Sequence, residues 1–120
     1  MKKININEKL QTFSEHWSPK IIGALNGQHI KLAKFLGEFV WHKHEFEDEL
    51  FYVVKGKLKM EFRDKTIELN PGEFIIVPKN VEHRPIAEKE VSVMLFEPDT
   101  TINTGNSHDD TFTKKEQEWI

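Results

Sequence analysis

The chain has 120 residues, 17 of them Lys or Arg and 20 Asp or Glu, for a formal charge of -3. That length supports one domain with its own core, and the slight acidity lacks the basic footprint of a nucleic-acid binder. Cysteine is absent, which excludes disulfides, thiolate-held clusters and a thiol nucleophile; any metal must be held by histidine and carboxylate. No apolar run approaches the ~20 residues that a membrane span needs, and residues 1–7 carry no apolar leader core. The expected location is cytoplasmic, with neither nucleic acid nor membrane as partner.

Residues 1–19 read as a lead-in. Leu10, Phe13 and Trp17 recur at helical spacing behind Asn5 or Asn7, which predicts a short amphipathic helix closed by Pro19 and docked on the core or on a partner subunit. From 20 to 98 the period becomes strand-like, and this stretch is expected to be the domain proper. Two runs, 20–25 and 28–36, flank Asn26-Gly27, a strong hairpin signal. Further strands are predicted at 39–44, 49–54, 57–63, 66–69, 73–78 and 91–97. Turn chemistry separates several of these runs, at Lys55-Gly56, Arg63-Asp64-Lys65, Asn70-Pro71-Gly72 and Pro78-Lys79-Asn80. Leu58, Met60 and Phe62 alternate with charged neighbours, as in a strand with one wet face. Many short strands without sustained helical patterning predict an all-β fold, an antiparallel barrel or sandwich. Residues 99–120 are read as a polar extension. Its Thr113-Lys114-Lys115-Glu116 spacing predicts a last helical turn that packs Trp119-Ile120 on the barrel or a neighbouring subunit. A homodimer is expected, with Trp17, Trp41 and Trp119 as candidate contacts.

The chemistry-bearing residues lie in the middle of the chain. His42 and His44 stand two apart in a strand-like segment, so both side chains leave one face. That pair is either an exposed strand end or half of a metal grip. Glu45, Glu47 and Asp48 form an acidic turn, read as solvated, that returns the chain antiparallel. Glu49 then starts the next strand and meets the two histidines if its face looks inward. Downstream, Gly72 opens a buried strand that Pro78 stops, and the following loop presents His83.

Two patterns now stand in order: Gly37-x4-His42-x-His44-x4-Glu49-x6-Gly56, then Gly72-x5-Pro78-x4-His83, with residues 57–71 between them. Together they resemble the two motifs of the cupin superfamily. The likeness is strongest to small single-domain, conserved-barrel (type 2) cupins, often described as mannose-6-phosphate-isomerase-like. Three positions depart from the pattern. Four residues rather than five separate Gly37 from His42, Asn80 stands where a glycine is usual, and Ala87 stands in place of asparagine. Asparagine also tolerates positive φ, so that turn is expected to survive.

The resemblance implies a double-stranded β-helix, or jelly-roll, barrel. It also implies one divalent transition metal ion (Fe, Mn, Ni, Zn or Cu) on His42, His44, Glu49 and His83. A mixed N/O donor set does not by itself select among these metals. The implied function is oxygenation or isomerisation of a small oxygenated metabolite; the alternative is a non-catalytic sugar or small-ligand binder. Phe51, Val53, Phe74 or Ile76, and Met94 or Phe96 are expected to wall the site. Three further residues have two readings each. His29 and Lys31 share a face that either lines the barrel mouth or is exposed, and Arg84 either clamps an anionic substrate or forms a surface ion pair.

Overall fold

The computed structural model describes residues 1–120. One short helix, α1 (Ile6–Leu10), precedes eight strands: β1 (Lys20–Leu25), β2 (Gln28–Glu38), β3 (Glu49–Lys55), β4 (Leu58–Phe62), β5 (Thr66–Leu69), β6 (Phe74–Val77), β7 (His83–Pro98) and β8 (Glu118–Trp119). Asn26 and Gly27 join β1 to β2 with φ of 51° and 75°. Positive φ at both central residues is what a tight two-residue hairpin requires, and the Asn-Gly pair meets it without steric cost.

The 16-residue β7 organises the rest. β2 runs antiparallel along one edge of it, from Gln28 opposite Pro98 to Glu38 opposite Ile86. The other edge is divided: β3 pairs with the part around residues 92–96, and β4 pairs with the part around 83–86. Strands that share one neighbour but continue separately must splay, so the sheet folds around an interior. A register shift between Phe35 and Gly37 marks the bend on β2. Gly56 packs beside the same bend, where a Cβ would stand 2.8 Å from the Glu90 carbonyl oxygen. The ladder stays open rather than closing as a barrel, running β5-β4-β7-β2-β1-β8 with β6 attached to β3.

The interior is one cluster of 14 buried apolar residues, among them Ala33 and Phe35 of β2, Phe51 and Val53 of β3, Leu58 and Met60 of β4, and Val91, Val93 and Leu95 of β7. Burial of such a side chain stabilises by roughly 1.5–3 kcal/mol. A smaller cluster covers the outer face, where Leu10 of α1 meets Ile22 and Leu32. No helix is long and apolar enough to cross a membrane.

Several expectations are corrected. The helix ends at Leu10 instead of running to Trp17, whose backbone is left-handed at φ 58°. Trp17 is a core residue: its ring stacks on Phe35 and Phe39 at 4.4 and 4.6 Å, and its indole N–H donates to the Leu36 carbonyl. Residues 39–44 form no ladder strand; a single bridge between His42 and His83 replaces it. The predicted strand at 91–97 is the second half of β7. The C-terminal helical turn is absent because the Thr113 hydroxyl is committed elsewhere, to the Asp109 N–H and the Thr104 hydroxyl. Glu118 and Trp119 instead add a short parallel strand to β1.

The apolar walls named for β6 and the end of β7 have the opposite parity. Phe74 and Ile76 are 57% and 54% exposed, while Val77 and Leu95 are buried. In a strand a one-residue offset exchanges the two faces completely.

Candidate metal centre

Three segments bring the histidines and glutamate together. His42 and His44 lie between β2 and β3. His42 exchanges backbone hydrogen bonds with His83, N–H to carbonyl, at 3.1 and 2.9 Å. The Lys43 N–H donates to the Asn106 side chain, so Lys43 is held by the C-terminal extension, whose Gly105 packs against the His42 ring. The Asn80 N–H donates to the His44 carbonyl at 2.8 Å, from a turn whose φ of 65° asparagine accommodates. Glu49 is the first residue of β3 and His83 the first of β7, so both side chains stand at strand ends that face one point.

All four side chains are buried, with relative exposures between 1% and 4%. One potential ligand atom from each lies within 4.8 Å of every other. The His44 Nε2 stands 2.6 Å from Glu49 Oε1, and the His83 Nε2 stands 3.4 Å from the same oxygen. Neither approach has hydrogen-bond alignment: His44 Nε2, His83 Nε2 and Glu49 Oε1 are buried without a partner. On two of the three imidazoles the other nitrogen is occupied, whereas His44 Nδ1 has no partner. The His42 Nδ1 faces the Val40 carbonyl at 2.9 Å and the His83 Nδ1 faces the Val81 carbonyl at 2.8 Å. A proton held on Nδ1 leaves the Nε2 lone pair pointing inward, the tautomer a metal ligand needs.

Buried polar atoms left unpartnered are costly, by about 1–3 kcal/mol each. A cluster of three in one place calls for a ligand, and a divalent cation fits a set of three imidazoles and one carboxylate. The electrostatics agree. Burial, with His83 close by, holds His42 down to about 3, so it is neutral across the physiological range. Burial alone would raise Glu49, but its contacts with Glu97, His44 and His83 prevail and hold it well below the usual carboxylate range.

Beside Glu49 lies a second buried carboxyl that the sequence reading missed. Glu97 is 2% exposed, and Lys31, at 1%, places its Nζ 2.8 Å from Glu97 Oε1. Burial and the charge of Glu49 push Glu97 well above its ordinary range. A narrow recess adjoins both carboxyls and His42. Its walls are largely apolar: Trp17, Phe35, Phe39, Phe51 and Leu95, with Asn103 of the C-terminal extension at the rim.

Of the other residues singled out, Phe51 lines this recess and Lys31 is inside the fold, not on an exposed face. His29 sits at the hairpin end of β2 against the ring of Trp119, 5.4 Å away, and does not reach the recess. Arg84 does not reach it either. As the neighbour of His83 on a strand it leaves the opposite face, where it bonds Glu61 at 2.7 and 2.9 Å and approaches Glu38 at 3.4 Å. The acidic turn is not wholly solvated: Glu47 turns in, its side chain 14% exposed and 3.9 Å from His44 Nδ1. The i,i+3 spacing of His44 and Glu47 was the signal available for it. Nothing local could have paired Lys31 with Glu97, which are 66 residues apart.

Comparison with known proteins follows the same outline. The family described as "Cupin domain" matches residues 31–98. A crystal structure of a cupin-2 domain containing protein from Shewanella frigidimarina is 47% identical, with a TM-score of 0.78, and the match covers 79% of this chain and 93% of that one. The uncharacterized protein YdbB of Bacillus subtilis is 38% identical over 80 residues, 66% of this chain and 65% of YdbB. Quercetin 2,3-dioxygenase of the same organism is 36% identical over 64 residues, 48% of this chain but only 19% of that enzyme.

Proposed function

The chain belongs to the cupin family, and on that premise we propose that it binds one divalent transition metal ion through His42, His44, Glu49 and His83 and acts on a small oxygenated metabolite. The observation that carries this reading is the set of buried, unpartnered ligand atoms gathered within 4.8 Å. When bound, such an ion supplies Lewis-acid activation of a chelating oxygen and open positions for substrate or dioxygen. The chain's own residues do the rest. The Val40 and Val81 carbonyls lock two imidazoles in orientation. Glu49 contributes a negative charge that needs no deprotonation near neutral pH. Phe35, Phe39 and Phe51 keep bulk water from the recess and offer a flat apolar surface to a ring or enol.

Oxygenation is the favoured chemistry over isomerisation, supported by the resemblance to quercetin 2,3-dioxygenase over 19% of that enzyme's length. A homodimer and a cytoplasmic location remain part of the proposal. Exposed Phe74 and Ile76 on the edge strand β6 support a self-contact there better than Trp17 does.

Elemental analysis of protein purified without chelator or affinity metal tests the first claim: about one equivalent of a transition metal is expected, and less than roughly a tenth would refute it. Oxygen uptake with a panel of catechols, diketones and thiols tests the second, with His44→Ala as control. Uptake equal in the two proteins would end the catalytic claim. Metal without turnover would move the protein to the ligand-binding alternative.

A further inference from the structure

The segment that carries two of the four proposed ligands has little sheet to hold it. In an extended chain the N–H and C=O of one residue point to one edge, and those of the next residue to the other. His42 commits both groups to His83, and the His44 carbonyl accepts from the Asn80 N–H. Lys43 stands between them and faces the opposite edge, where no ladder strand pairs with it. One residue of the C-terminal extension takes that edge. The Lys43 N–H donates to the Asn106 side-chain oxygen at 2.9 Å, and the Asn106 N–H donates to the Lys43 carbonyl at 3.0 Å.

The turn that presents Asn106 is itself anchored. The Gly105 N–H closes it on the Ile102 carbonyl, and the fully buried Thr104 shares a hydrogen bond with the Thr113 hydroxyl at 2.7 Å. Asn103 donates to the Phe112 carbonyl and accepts from the Lys114 N–H. Gly105 lies against the His42 ring, where a Cβ would stand 3.1 Å from Cδ2, so the turn comes closer than most side chains allow. Asn106 is exposed and lies beyond residues 31–98, the cupin domain of this chain.

We infer that Asn106 is a positioning residue of the metal centre: it supplies the missing strand partner of Lys43 and thereby fixes the spacing of the His42 and His44 imidazoles. The inference rests on the reading of those histidines as metal ligands. Without the side-chain oxygen the Lys43 N–H turns to water, and the segment gains a freedom that metal binding must remove again. The loss falls on the ligands rather than on the core, because the Asn106 side chain is exposed.

The test is a zinc competition titration against a chromophoric chelator, on the full-length protein, Asn106→Ala and Asn106→Asp. Salt at about 0.5 M screens the charge that aspartate adds. Asn106→Ala keeps the backbone N–H and is expected to weaken zinc about tenfold, as loss of an orienting contact does. Asn106→Asp keeps the accepting oxygen and should return to within about threefold of the parent. The urea midpoint of metal-free Asn106→Ala should stay within about 0.3 M of the parent. A loss under about threefold in Asn106→Ala, no recovery in Asn106→Asp, or a larger fall of the metal-free midpoint would each overturn the inference, the last by showing a merely structural role. Parent protein that binds about one equivalent of zinc no better than Asn106→Ala fails the positioning role alone. Parent protein that binds no zinc fails the metal assignment, and the inference with it.

Discussion

Two buried carboxyls lie side by side in this fold, and they are compensated in different ways. Glu97 has a cation built into the chain, the Lys31 ammonium at 2.8 Å on the neighbouring strand. Glu49 has none: its neighbours are imidazoles, one of them held neutral by burial, and the facing atoms are unpartnered. One carboxyl has its counter-charge built into the chain, and the other faces buried ring nitrogens that have no partner. The contrast distinguishes a buried carboxyl paired with a cation of the chain from one set among unpartnered ring nitrogens, although both are equally hidden from water.

The sharpest way to break this contrast is to remove the built-in cation. Lys31→Met is expected to destabilise by about 3–5 kcal/mol in chemical denaturation, because it leaves a partner buried alone, while Lys31→Met/Glu97→Leu should return to within about 1 kcal/mol of the parent. A double variant as unstable as the single one would show that the pair does more than neutralise itself. Next in size, His83→Ala should weaken metal binding about a hundredfold or more in competition titration against a chromophoric chelator, more than loss of an orienting contact costs. Glu97→Gln should leave that affinity within about threefold, since Glu97 is outside the ligand set.

Acid separates the clusters further. His42 is depressed to about 3 in the folded protein from an ordinary value near 6.5. A base whose folded value is depressed favours folding above its unfolded value, and that advantage is lost as pH falls from about 6.5 toward about 3. Metal-free protein should therefore lose about 1.4 kcal/mol per pH unit in that window, read from urea midpoints. His42→Gln should flatten the slope. The smallest effect expected is that of Glu47→Gln, which removes a carboxylate 3.9 Å from His44 Nδ1. Metal affinity should fall by about tenfold or less, with the fold unchanged in circular dichroism.

Much of the site was legible before any coordinates, because its parts are local. His42 and His44 both turn inward as their spacing of two implied, although their segment makes only one bridge; Glu49 and His83 fall at positions bounded by turn residues, and Asn80 does adopt the positive φ allowed for it. The Asn26-Gly27 hairpin is legible for the same reason, since its two residues carry their own backbone preference. Segment ends were less so. Thr113 has capping-box spacing to Glu116, yet its hydroxyl is drawn to Thr104 and Asp109, partners that a local pattern cannot reveal.

The sequence by itself determined the candidate quartet of three histidines and one glutamate, the absence of any thiolate alternative, and a largely β chain of short strands. Only the tertiary structure decided which strand faces look inward, and with them the walls of the recess. It put Trp17 in the core, sent Arg84 to the outer face with Glu61 and Glu38, and paired Lys31 with Glu97. The physical reason is the same in each case. A two-residue period gives relative parity within a strand, but the absolute face is set by which distant strand it pairs with and in what register. Here that partner is β7, whose shared edges bring residues far apart in the chain to the same few ångströms.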